Sequence, residues 1–157
     1  MPLQKDSVVN SKTDSLVFTN DEFVSDPFPG EVNIHYLNSR YPEIKVLDKE
    51  AVENRHQPGV MDTIYTLGLN HSRFNIYKAG NKEIFYQATI THPDFQFKKG
   101  IHVGMAGGIL LEKLSAENHT EKFPETLVVK NSNKTVELVF KLNNNRLSKV
   151  IYNGYLD

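Results

Sequence analysis

Gly100-Ile101-His102-Val103-Gly104-Met105 is the stretch on which the fold turns. It reads as a short extended entry and a glycine turn, followed by a helix over about residues 107–116 that carries Ile109, Leu110, Leu111 and Leu114. The stretch separates a strand-rich first half from a second half in which a helix precedes more strands. Working outward, the same order of elements occurs on both sides of it.

Upstream, residues 1–14 are polar and aperiodic and read as a leader. Leu16-Val17-Phe18 is a short strand candidate, and Pro27 and Pro29 precede a helical window from Glu31 to Arg40. Within that window Val32 and His35/Tyr36 share a face for which Ile34 and Leu37 compete. From residue 43 the period changes to two. Strands are expected from Ile44, over Thr63–Leu69, Arg73–Lys78 and Glu83–Thr91, with turns at Asn70-His71 and Gly80-Asn81. Downstream, Thr126–Val129, Thr135–Leu142 and Leu147–Tyr152 repeat the pattern around Asn131-Ser132-Asn133 and Asn143-Asn144-Asn145. Asparagine suits such turns because it tolerates positive φ and bonds its own backbone.

The expected fold is therefore α+β, with helices packed on one face of an antiparallel sheet. One domain over 15–157 is expected. Within it, tandem helix-plus-strands units at 28–92 and 98–157 stand as an alternative to a single helix pair on one sheet.

The chain has 157 residues, enough to bury roughly 70% of its unfolded surface without covalent staples. A net charge of -1 offers no broad field for nucleic acid. Cysteine is absent, which excludes disulfides, thiolate metal sites and thiol nucleophiles. The start Met1-Pro2-Leu3-Gln4-Lys5-Asp6 has no apolar signal core, and no run is long enough to span a bilayer. A cytoplasmic protein and a mature exported form both fit that start.

Gly100–Met105, the helix after it, Val136-Glu137-Leu138-Val139-Phe140-Lys141-Leu142 and Asn143-Asn144-Asn145-Arg146-Leu147 form a recurring bacterial pattern. In this pattern the chain resembles the β-lactamase-inhibitor-protein-like fold of small outer-membrane-assembly lipoproteins and other envelope proteins. The resemblance covers about residues 98–152. It implies helices on one sheet face with the other face open to a partner, and a periplasmic or outer-membrane-associated, lipid-tethered protein. Two departures stand out. Ala106-Gly107-Gly108 replaces the usual capping Ser or Thr after the methionine, and there is no lipobox or cysteine to carry a lipid.

Residue constellations add little chemistry. Gly104-Met105-Ala106-Gly107-Gly108 matches no nucleotide-loop spacing and reads as a structural turn. His35, His56, His71, His92, His102 and His119 form no helical ligand pair, and only His92, Asp94 and His102 could converge across a turn into a hydrolytic or metal site. No nucleophile elbow occurs, and the sequons at Asn70, Asn118 and Asn133 read as turn residues. Strand alternation directs Phe74, Ile76, Ile84, Tyr86, Val136, Leu138 and Phe140 towards the helices. It leaves Tyr77, Phe85, Val139 and Tyr152 on the opposite face as a candidate binding surface.

The favoured expectation is a non-catalytic module, without cofactor or metal, that binds a protein or peptide on its exposed sheet face. An enzyme centred on His92, Asp94 and His102 and an inhibitor of a partner enzyme are the alternatives.

Overall fold

The computed structural model describes residues 15–116 and 123–156; the leader expected at 1–14, the Asn118 sequon and His119 lie outside them. The strands are β1 Ser15–Thr19, β2 Lys45–Glu53, β3 Met61–Leu69, β4 Ser72–Ala79, β5 Lys82–Ile90, β6 Thr126–Lys130, β7 Glu137–Asn143 and β8 Arg146–Asn153. The helices among the described residues are α1 Asp21–Ser25, α2 Ile34–Arg40 and α3 Gly107–Lys113, with a 3-10 turn at Lys98–Gly100. All eight strands join one sheet in the order β1-β6-β7-β8-β5-β4-β3-β2.

This corrects the expected architecture. Strand makes up 45% of the described residues and helix 16%, and the sheet is mixed because β1 runs parallel to β6. The helical windows are cut short by their own ends. The Asn33 side chain accepts from Tyr36 N at 2.7 Å and starts α2 late, Tyr41 adopts an extended backbone after it, and Ser115 at φ 56 follows α3. Elements of five to seven residues contribute only Phe23, Val24, Leu37, Gly107, Leu110 and Leu111 as buried positions. In the Glu31–Arg40 window both Val32, ahead of α2, and Leu37, within it, reach the core, and His35 is exposed.

Loops supply much of the remaining cover: Phe28, Phe95, Phe97, Ile101, Val103 and Met105 are all buried over the sheet. Nor do the halves form separate units. The antiparallel runs β2–β5 and β6–β8 meet where β8 pairs with β5, from Gln87↔Asn153 to Ile90↔Val150, so β8 is central in the sheet.

The Gly100–Met105 stretch runs over the core from the 3-10 turn through a tight turn at Val103-Gly104, which Met105 N closes by donating to His102 O at 3.3 Å. Ile101, Val103 and Met105 point inward, and Gly100 and Gly104 take φ of 71° and 103°, which suit glycine. The stretch is sewn to the start of β8, where Gly104 N donates to Leu147 O at 2.7 Å and Leu147 N donates to Met105 O at 2.9 Å. The Arg146 guanidinium donates to Gly104 O at 2.8 Å. The helix cap is absent as expected: Ala106 makes no capping side-chain bond to α3.

Gly107 instead approaches the β7–β8 turn and donates its N–H to Asn145 O at 2.7 Å. A Cβ at this position would lie 2.7 Å from Leu142 Cδ2 and 3.2 Å from Asn145 O. Gly107→Val is therefore expected to cost about 1–3 kcal/mol by overpacking, measured as a shift in denaturant midpoint at unchanged slope. An unshifted midpoint would show that the turn yields freely. The turn itself is built from Asn144 and Asn145 at φ 54° and 62°, the pair of positive angles that a tight two-residue hairpin needs.

Candidate functional site: the open sheet face

Alternation along each strand divides the sheet between a covered face and an open one. Two β-bulges decide which residues lie on each. In the β4–β5 pair Asn75 faces Gln87 but Ile76 faces Phe85, so Tyr86 is the extra residue. In the β7–β8 pair Lys141 faces Lys149 but Leu142 faces Leu147, so Ser148 is extra. Each bulge reverses the phase that simple alternation predicts.

The expected surface of Tyr77, Phe85, Val139 and Tyr152 is divided as a result. Phe85 and Tyr152 belong to the covered face. Their ring centroids lie 5.2 Å apart, and each packs on Phe28, at 5.2 and 5.0 Å. Burial pushes the Tyr152 phenol up from its ordinary pKa. Together these rings border a groove of about 300 Å³ beneath the α1–α2 connection. Ile84, expected inward, pairs with Tyr77 and lies on the open face.

Tyr77 and Val139 do lie on the open face, but on strands β4 and β7, with β5 and β8 between them. The Tyr77 hydroxyl is already engaged: it donates to Asp62 Oδ2 at 2.5 Å, and Asn54 Nδ2 donates to the same oxygen at 2.7 Å. The Asp62 hydrogen bond, then burial, raises the Tyr77 pKa, and Arg55 opposes the rise. Asp62 is only 2% exposed, so this cluster ties the loop after β2 to β4.

Around Val139 the registers align an aliphatic row that the sequence reading did not find. Val17, Val128, Val139 and Ile151 are cross-strand neighbours over β1, β6, β7 and β8, and the row continues to Thr89 on β5. Val17 is 57% exposed; Val128, Val139 and Ile151 are half-buried. On one side lies a polar chain. Asn75 Nδ2 donates to Gln87 Oε1 at 2.9 Å, Gln87 Nε2 to Asn153 Oδ1 at 3.4 Å, and Asn153 Nδ2 to Glu137 Oε2 at 3.2 Å. Each amide nitrogen carries two donors, so each link leaves hydrogen-bonding capacity on the solvent side. On the other side stand Thr126, Lys141 and Lys149. The row could be found only by knowing the strand order and the Ser148 bulge.

The residues of the alternative site, His92, Asp94 and His102, make local contacts. His92 Nδ1 accepts from Asp94 N at 3.2 Å, and its ring packs edge-on to Tyr41 at 5.2 Å. The His102 Nδ1 lies 2.9 Å from the carbonyl of Val103. Among the described residues no group of three His, Cys, Asp or Glu side chains is placed to hold a metal, and no helix is long and apolar enough to cross a membrane.

No protein-family model, curated protein or solved structure matches this chain.

Proposed function

We propose that the chain is a non-catalytic interaction module that binds an extended segment of a partner protein across its open sheet face. One observation carries the reading. The Val17–Val128–Val139–Ile151 row runs across the strands between flanks that can hydrogen-bond or pair with charge. Apolar contact bordered by polar groups is the usual anatomy of a recognition surface. A peptide lying along the row could bury its side chains on the aliphatic groups while the amides met its backbone. The periplasmic, lipid-tethered setting belongs to the same proposal and rests on the resemblance of the Gly100–Met105 region to envelope proteins. Recovery of the full gene product in the cytoplasmic fraction would remove that part.

Site-specific photocrosslinking in the source cells tests the binding surface. A benzophenone side chain at Val139 or Ile151 is expected to capture the same partner, and one at the exposed His35 on the covered side is not. A Val128→Lys background should abolish both adducts. Equal capture from position 35, or none from 139 and 151, would overturn the reading.

A further inference from the structure

Lys141 and Lys149 stand directly opposite each other in the β7–β8 register on the open face. Like charges in this position oppose sheet formation, so the pairing is not explained by the stability of the strands. The Ser148 bulge creates it, and the Ser148 hydroxyl donates to Lys141 O at 3.0 Å, holding that register. Among the described residues neither lysine forms a salt bridge; the Lys141 ammonium has only a long 3.4 Å contact to Thr126 Oγ1. The same bulge sets Ile151 beside Val139, so one local feature produces both the paired ammonium groups and the aliphatic row. On the other flank, Glu137 is already engaged by Asn153.

We propose, resting on the sheet-face reading above, that the partner segment is acidic: an extended peptide in which carboxylates alternate with aliphatic side chains. The aliphatic groups lie on Val128, Val139 and Ile151, and the carboxylates meet Lys141 and Lys149. Charge complementarity selects this occupant. Two lysines beside an apolar row suit a short acidic-aliphatic segment. A long polyanion would need a basic field that the net charge of -1 does not provide.

The test is selection of a random-peptide phage library on the intact protein, with binding of the enriched peptides measured at low and high salt. Wild type should enrich acidic-aliphatic peptides, and their affinity should fall as salt rises. Lys141→Glu/Lys149→Glu should weaken them at least about tenfold and should itself select basic peptides. The charge-matched control Lys45→Glu/Lys82→Glu, at exposed positions elsewhere on the sheet, should leave them within about twofold. Circular dichroism of each variant separates lost binding from lost folding. Peptides without acidic bias that bind both lysine variants equally, yet fail on Val139→Lys, would overturn the acidic assignment and leave the sheet-face reading standing. Failure of every peptide, with lysine-dependent binding of RNA or of phosphatidylglycerol vesicles instead, would overturn both.

Discussion

Phe95→Ala is expected to destabilise the protein by about 3–5 kcal/mol, a large part of the roughly 5–15 kcal/mol that holds a domain of this size. Phe95 belongs to no strand or helix, yet it is only 1% exposed. Its ring meets Phe97 at 5.4 Å, Phe74 at 5.6 Å, Phe28 at 5.9 Å and Tyr41 at 6.5 Å. It thus links the sheet, through Phe74, to the loop layer and to the end of α2. Truncation leaves a void bordered by rings held by separate segments, which cannot collapse together to fill it. Phe95→Leu retains most of the volume and should cost clearly less. Urea unfolding of both variants checks this. A Phe95→Ala penalty below about 1 kcal/mol would mean that the loop layer is not part of the core.

The same residue shows what the sequence could reveal. Strand positions were legible because a half-buried strand writes its period directly into the chain: the alternation of Val136, Leu138, Phe140 and Leu142 lies within or beside β7, and Asn144 and Asn145 turn as expected. The covering layer was misassigned to helices, since a few apolar residues near helical spacing cannot distinguish one short turn from three. Its real signal was present. Phe95, Phe97, Ile101, Val103 and Met105 keep a spacing of two, interrupted by Lys99 at φ 63°, and mark an irregular segment that buries alternate side chains.

The binding face was half legible for a different reason. The extra residues lie on the partner strands β5 and β8, so β4 and β7 keep an unbroken count and counting outward from Leu138 and Phe74 places Val139 and Tyr77 correctly. Tyr86 lies between Phe85 and the buried Ala88 and Ile90, and Ser148 lies between Tyr152 and the buried Leu147. One extra residue reverses every side chain beyond it, so Ile84, in phase with Ala88 by simple counting, falls on the open face and Phe85 on the covered one. A bulge is a property of the strand pair. Neither strand's own pattern announces it.

Tyr41→Phe is expected to act in the opposite direction from Phe95→Ala and to change the response to alkali. Tyr41 is 3% exposed, and its hydroxyl is buried with no hydrogen-bond partner among the described residues. Removing an orphaned hydroxyl while keeping the ring should be neutral or stabilise the fold by up to about 1 kcal/mol at neutral pH. Burial, followed by the neighbouring Tyr36, pushes the phenol from 10.0 up to about 12; Arg40 opposes this and Asp94 adds to it. A folded pKa above the unfolded one means that the native state holds its proton where the unfolded chain has released it. Stability is then complete below pH 10.0 and falls as pH rises towards about 12, by about 2–3 kcal/mol from this group. Tyr77, Tyr86 and Tyr152 are also raised, so the variant should keep part of the alkaline decline and lose the share due to Tyr41. Denaturant unfolding of wild type and Tyr41→Phe at neutral pH and above pH 10 provides the comparison. A variant that is weaker at neutral pH, or that declines as steeply as wild type in alkali, would show that the hydroxyl is satisfied and titrates in the folded protein much as it does in the unfolded chain.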